Sequence, residues 1–147
     1  MNQHEVAGAL SRLLADSYTL YLKTHNFHWN VTGPMFSSLH TLFETEYTEL
    51  ALAVDEIAER IRAIGHRAPG SYSEFVELAK VKESTGVVTA KEMIRQLADD
   101  QDRVVAGARL LFAAAEETGD NVSADLAVRR MDVHQKNAWM LRSHLEA

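Results

Sequence analysis

Apolar residues recur at intervals of three and four along almost all of this chain, and that periodicity leaves little room for anything but helices. From Val6 to Phe27 the steps run through Leu10, Leu13, Leu14, Tyr18, Tyr21 and Leu22, one stripe of an amphipathic helix. Gly33-Pro34 stops it. A second stripe begins at Phe36 and passes Leu39, Phe43, Tyr47, Leu50, Val54, Ile57 and Ile61 to Ile64, where Gly65 ends it. Ser71 or Ser73 is placed to cap one or two turns through Phe75, Val76 and Leu78, and residues 80–88 read as loop. Thr89-Ala90-Lys91-Glu92 has capping-box spacing and opens a helix with Met93, Ile94, Leu97, Val104, Ala108, Leu111, Phe112 and Ala115 on its apolar face. Gly119-Asp120-Asn121 is a tight turn, Ser123 a candidate cap, and Leu126, Met131, Ala138, Trp139, Leu141 and Leu145 face the core of the last helix.

The connections then select a topology. Short turns between the first and second, and between the third and fourth, long helices make antiparallel neighbours. The long segment 66–88 lets the second and third run parallel. The expectation is an all-α four-helix bundle, with one long crossover carrying a short extra helix. Its 147 residues suit one domain, 1–147, with a sizeable core.

Composition narrows the function classes. The chain has no cysteine, which excludes disulfides and thiolate metal sites. The N-terminus, MNQHEVAGALSRLL, lacks the basic-then-apolar pattern of a signal peptide, and no apolar run approaches a membrane span. A cytoplasmic protein is the expectation. Formal net charge is −6. A basic footprint for DNA phosphates is missing, while an acidic surface suits cations.

Helical bundles that hold two irons in their core use Glu-x-x-His, because residues three apart project together. The residues three before the seven histidines are Met1, Leu22, His25, Ser37, Ala63, Met131 and Leu141, none of them Glu. Another set stands out. His28 lies near the end of the first helix in His-Asn-Phe-His-Trp-Asn, and His40 lies one turn into the second. Asp55 and Glu59 are four apart, so their carboxylates share one face. Two imidazoles and two carboxylates suit iron or zinc, although such carboxylates also occur as a plain solvated face. His40 and Asp55 are separated by about 22 Å of helix at 1.5 Å per residue, so one subunit cannot bring them to the same ion. An antiparallel mate related by a two-fold axis would set His40 of one chain opposite Asp55 of the other, and would generate two such sites.

The stretch from Lys23 to Arg60, KTHNFHWNVTGPMFSSLHTLFETEYTELALAVDEIAER, resembles the Dps family, mini-ferritins named for DNA protection during starvation. The pattern is His-Trp-Asn, Gly-Pro, Phe-x-x-Leu-His and Asp-x-x-x-Glu-Arg, and the ending Asn-Ala-Trp-Met-Leu-Arg-Ser is also typical. The resemblance implies a ferritin-like fold and a hollow twelve-subunit shell built from two-fold dimers. It also implies iron(II) oxidation at dimer interfaces, preferably by hydrogen peroxide, with iron(III) oxide stored inside as protection against oxidative stress. His28 and His40 of one subunit and Asp55 and Glu59 of its mate match the ligand positions. Trp29 would lie beside the metal site as an electron donor, with core packing the competing role. Glu44 could assist a second iron or mineral nucleation, or simply be solvated. Asp120 and Asp125 match acidic pore residues, but acids near a helix N-terminus also suit the macrodipole, and Arg129 is placed to pair with Asp125.

The chain departs from the family in lacking a Lys-rich tail. Tail-mediated DNA binding is not expected, and nucleoid association is not favoured. Two other functions compete with iron turnover: a DNA-compacting protein, and a structural dimer holding zinc or another metal. Asp99, Asp100 and Asp102 read as an exposed face, and His4, His66, His134 and His144 show no partner in the sequence.

Overall fold

The computed structural model describes residues 3–146. Five helices follow one another: α1 (Gln3–Asn30), α2 (Phe36–Ala63), the short α3 (Tyr72–Leu78), α4 (Ala90–Thr118) and α5 (Asn121–Ser143). Ser71 and Thr89 cap α3 and α4, each accepting a bond from the amide of a glutamate three residues on, Glu74 and Glu92. At the start of α5 the cap is Asp120, not Ser123. The Asp120 carboxylate accepts the Ser123 amide at 3.0 Å, while Ser123 is buried and its hydroxyl accepts from Arg60. Carboxylate and hydroxyl compete for the same free amides, and the residue just outside the helix has the better aim.

The helix ends at Gly65 and Gly119 are closed alike. Both glycines hold positive φ, +93° and +72°, which costs a side chain with a Cβ but not glycine. The next residue's amide reaches back to close the turn, His66 to Ile61 and Asp120 to Ala115.

Facing pairs give the helix directions. His28 meets His40 and Tyr21 meets Tyr47, so α1 and α2 are antiparallel. Lys23 meets Asp100 while Gly107 approaches Asp16, so α1 and α4 are antiparallel too. Arg60 reaches Ser123 and Glu49 reaches Arg130, which makes α5 antiparallel to α2. The parallel pair is therefore α2 and α4, joined by the crossover, as loop length predicts. The core runs the length of the bundle through Leu10, Leu13, Leu20, Phe27, Phe43, Leu50, Ile57, Ile94, Leu97, Val104 and Leu111. Trp139 does not join it; that ring is 66% exposed.

Polar side chains hidden from the apolar periodicity hold the crossover down. Asp16, buried on α1, accepts the amides of Lys80 at 2.6 Å and Val81 at 3.0 Å. Lys23 donates to the carbonyl of Lys82 and pairs with Asp100 at 2.8 Å, both side chains being buried. Asp100 is thus an interior ion-pair partner and not part of an exposed acidic face; its neighbours Asp99 and Asp102 are exposed and bonded to Arg142. His134 is also interior. Its Nδ1–H donates to Gln101 at 2.6 Å and its Nε2 accepts from Arg130 at 2.9 Å. Burial, and then the Arg130 charge, push it down to about 3, so the ring is neutral.

One buried group has no such arrangement. Glu46 lies on the buried seam of α2 between Phe43 and Leu50, 2% exposed, and neither carboxyl oxygen has a hydrogen-bond partner. Burial alone raises it to about 8, so it is protonated at neutral pH.

Candidate metal-binding half-sites

The turn between α1 and α2 brings His28 and His40 together. The two residues are tied reciprocally: His28 Nδ1 lies 2.7 Å from the carbonyl of His40, and His40 Nδ1 lies 2.8 Å from the carbonyl of His28. A carbonyl can only accept, so both Nδ1 atoms carry the proton. Both rings then keep an unused lone pair on Nε2, which is the arrangement that prepares an imidazole for a metal. The rings stack at 3.8 Å, 14° from parallel. His28 is buried and His40 half-buried, so the pair is held from behind and open at one edge.

Aromatic rings surround it. Phe36 stacks beside His40 at 5.0 Å, and Tyr47 stands edge-on to His28 at 5.2 Å. Behind them His25 stacks on Tyr47 at 4.1 Å and lies tilted by 34° against Trp29 at 4.0 Å. Burial, then the neighbouring His28, hold His25 below the ordinary imidazole range, which limits positive charge near the pair. Sequence reading missed His25 and Tyr47. The available signal was spacing: three before His28 and seven after His40. Trp29 is 59% exposed, so it is not a core-packing residue.

The carboxylates sit elsewhere. Helix α2 is continuous from Phe36 to Ala63, so the 15 residues from His40 to Asp55 span about 22 Å. Six acids lie on α2. Glu49 and Glu56 are ion-paired to Arg130 and Arg129, and Glu46 is buried. Glu44, Asp55 and Glu59 are exposed, with no hydrogen bond or ion pair among the described residues. Asp55 borders a groove with Ala51, Val54 and Ala58 that also takes in Tyr18, Tyr72 and Phe75. Those three aromatics line a second groove, of about 470 Å³, that continues along α1 past Leu22 to Trp29 beside His28. An apolar surface therefore links the neighbourhoods of the two half-sites, with Leu22, Tyr72 and Val76 at 42%, 71% and 67% exposure. Among the described residues no group of three or more His, Asp or Glu side chains is placed to hold one ion.

The two acids at the start of α5 differ. Asp120 is buried and bonded to Arg60 at 2.8 Å as well as to Ser123. Burial works to raise it, but Ser123 and Arg60 outweigh that and hold it below the usual carboxylate range. Asp125 is exposed and pairs with Arg129 at 3.0 Å; Arg129 also bonds Glu56 at 2.7 Å. Of the histidines with no partner legible in the sequence, His4 and His66 meet each other and His144 bonds the carbonyl of Met140.

A helical bundle with one crossover, a histidine pair at the α1–α2 turn and free carboxylates further along α2 defines a class, and comparison with known proteins agrees. The ferritin-like domain model matches residues 7–147. A DNA protection during starvation protein of Brevibacillus brevis is 38% identical over 144 residues, covering 98% of this chain and 97% of that one. The crystal structure of Dps from Staphylococcus aureus superposes with a TM-score of 0.96 at 36% identity, covering 99% and 98% of the two chains. A Vibrio cholerae Dps structure, described as a member of a broad superfamily of ferritin-like diiron-carboxylate proteins, gives 0.93 at 34% identity, covering 97% and 90%. The chain belongs to the Dps family of ferritin-like proteins. Among the described residues no helix is long and apolar enough to cross a membrane.

Proposed function

We propose that this chain oxidises iron(II), with hydrogen peroxide the preferred oxidant, at sites completed only where two subunits meet, and that a twelve-subunit shell stores the iron(III) product. His28 and His40 of one subunit and Asp55 and Glu59 of its two-fold mate are the ligands. The observation that carries this reading is the reciprocal lock between His28 and His40. It fixes two tautomers and leaves two Nε2 lone pairs, half a coordination sphere with nothing among the described residues of the same chain to complete it. The unpaired Asp55 and Glu59 supply the complementary half, and the apolar surface running between the two neighbourhoods supports pairing of chains there.

The chemistry follows from the donors. Anionic oxygens favour the higher charge of iron(III) over iron(II), and four protein ligands leave positions for oxidant. Peroxide accepts two electrons, one from each of two irons, and with two protons leaves as water. Paired delivery avoids the one-electron step that would release hydroxyl radical. Glu44, exposed one turn beyond His40, is placed to assist the second iron or mineral growth. Trp29, reached through His25, is placed to supply an electron. A pore role rests on Asp125, which is exposed, more than on Asp120, whose carboxylate is engaged by Arg60 and Ser123.

The test is iron(II) added anaerobically, then peroxide, with oxidation followed optically. His28→Ala/Asp55→Ala is expected to lose the fast phase; a double variant as fast as wild type would refute the site. Mixing chains lacking both histidines with chains lacking Asp55 and Glu59 is expected to restore part of the activity. No recovery in confirmed mixed assemblies refutes sharing across the interface.

A further inference from the structure

The second histidine pair lies at the opposite end of the α1–α2 hairpin from the iron half-site. His4, in the first turn of α1, and His66, just past the end of α2, approach with Nδ1 of His4 and Nε2 of His66 3.3 Å apart. We propose that this pair is a binding site for a tetrahedral divalent cation of the zinc type, separate from the iron chemistry.

Three observations carry it. The first is the separation of the donors. Two imidazole nitrogens at about 2.0–2.1 Å from a tetrahedral ion lie about 3.3–3.4 Å apart. Adjacent ligands of an octahedral ion at a similar distance would lie about 3.0 Å apart. The observed 3.3 Å matches the tetrahedral separation, and it is also the length of the N–H···N hydrogen bond that now joins the two rings.

The second is the proton arrangement. His66 Nδ1 faces the carbonyl of Ile64 at 3.3 Å. It therefore carries the proton, and Nε2 presents its lone pair to His4. The His4 Nδ1–H fills the gap in the metal-free pair. When a cation enters, that proton moves to Nε2 of the same ring. That is a tautomer exchange within one ring, and no charged group has to be created.

The third is preorganisation. The turn closed by Gly65 bonds the His66 amide to the Ile61 carbonyl at 3.1 Å, and Arg62 donates to the His66 carbonyl at 3.0 Å. The Arg62 guanidinium is thereby engaged with backbone. The rings meet edge to face, with centroids 5.0 Å apart and planes at 82°. His4 is exposed, so the two remaining positions of the ion open to water. Two neutral donors make an exchangeable site that fastens the beginning of α1 to the end of α2.

The intact protein is titrated with zinc and with cobalt(II), whose tetrahedral complexes absorb strongly in the visible and whose octahedral ones absorb weakly. His4→Gln and His66→Gln are each expected to lose one equivalent per chain and the intense cobalt band, while peroxide-driven iron oxidation is unchanged. His28→Gln/His40→Gln is expected to keep that equivalent and that band. Circular dichroism and elution volume verify that each variant is folded and assembled; His4→Gln, at an exposed position, keeps the test available if His66→Gln is not. Unchanged stoichiometry and spectrum in His4→Gln overturn the proposal. So does a weak octahedral spectrum for the lost equivalent, or loss of the band in His28→Gln/His40→Gln with His4 and His66 intact.

Discussion

Replacing Glu46 is expected to make the protein more stable, by an amount that depends on pH in a defined way. The folded chain holds this carboxyl at about 8 against an ordinary value of 4.5, through burial alone. The unfolded chain ionises it freely. A group raised on folding contributes its full stability below the unfolded value, and that stability is lost as pH climbs toward the folded one. Between pH 4.5 and 8 wild type therefore loses about 1.4 kcal/mol per pH unit at this residue, or about 3 kcal/mol by pH 7. Glu46→Gln removes the ionisation with little change of shape. Glu46→Met also removes two oxygens that have no partner and fills the seam with an apolar chain of similar length. The assay is urea unfolding followed by circular dichroism from pH 4 to 8, at one fixed protein concentration so that any assembly contribution is common. The stability of Glu46→Met relative to wild type is expected to be about 3 kcal/mol greater at pH 7 than at pH 4, an additional upward shift in Tm on the order of 10 °C. A difference independent of pH, or a wild type more stable than Glu46→Met at pH 7, refutes the assignment of a neutral, partnerless acid in the core.

Other outcomes follow from the same structure. Asp16→Ala leaves the amides of Lys80 and Val81 without their acceptor; a loss of about 2–4 kcal/mol and faster hydrogen exchange at those two amides are expected. Asp100→Leu strands the buried Lys23 and is expected to cost about 3–5 kcal/mol, while adding Lys23→Met recovers much of it, as a double-mutant cycle of unfolding free energies measures. With a net charge of −6 per chain, the protein is expected to give no salt-sensitive shift of duplex DNA at neutral pH and low salt; a tight complex that weakens with salt argues for a cationic surface unlike the one described.

Helix number, helix order and the parallel α2–α4 pair were legible because an apolar stripe of period 3.6 and the lengths of turns are written along the chain. The division of His40 from Asp55 was legible for a related reason, since distance along a helix is a function of residue number. Asp16, Lys23 and Asp100 were not. Each sits at a spacing of three or four from apolar stripe residues, Asp16 and Lys23 between Leu13, Leu20 and Phe27 and Asp100 between Leu97 and Val104. A charged side chain nevertheless argues for solvent, and only segments far along the chain, the crossover among them, supply the partners that let it be buried. Spacing does separate Asp100, three after Leu97 and four before Val104, from the exposed Asp99 and Asp102, but residue type outweighs it. His4 and His66 were missed similarly, being 62 residues apart, at the two ends of a hairpin that must be folded before they are neighbours. Asp120 takes the capping role expected of Ser123, whose hydroxyl instead accepts from Arg60, 63 residues away.

The lock between His28 and His40 joins positions only 12 residues apart, and that affects when the site matures. During synthesis the N-terminal hairpin leaves the ribosome first, and closing so short a loop carries little entropic cost. The imidazole half can take its final tautomers while α4 and α5 are still being made. The proposed carboxylate half has no corresponding event, since Asp55 and Glu59 are exposed and, in the proposed site, meet only the histidines of a second chain. On the proposed site, a nascent subunit would carry finished nitrogen donors with no oxygen donors opposite, a poor trap for iron. If the proposed site is right, the order in which its parts appear would discourage premature metallation of unassembled chains.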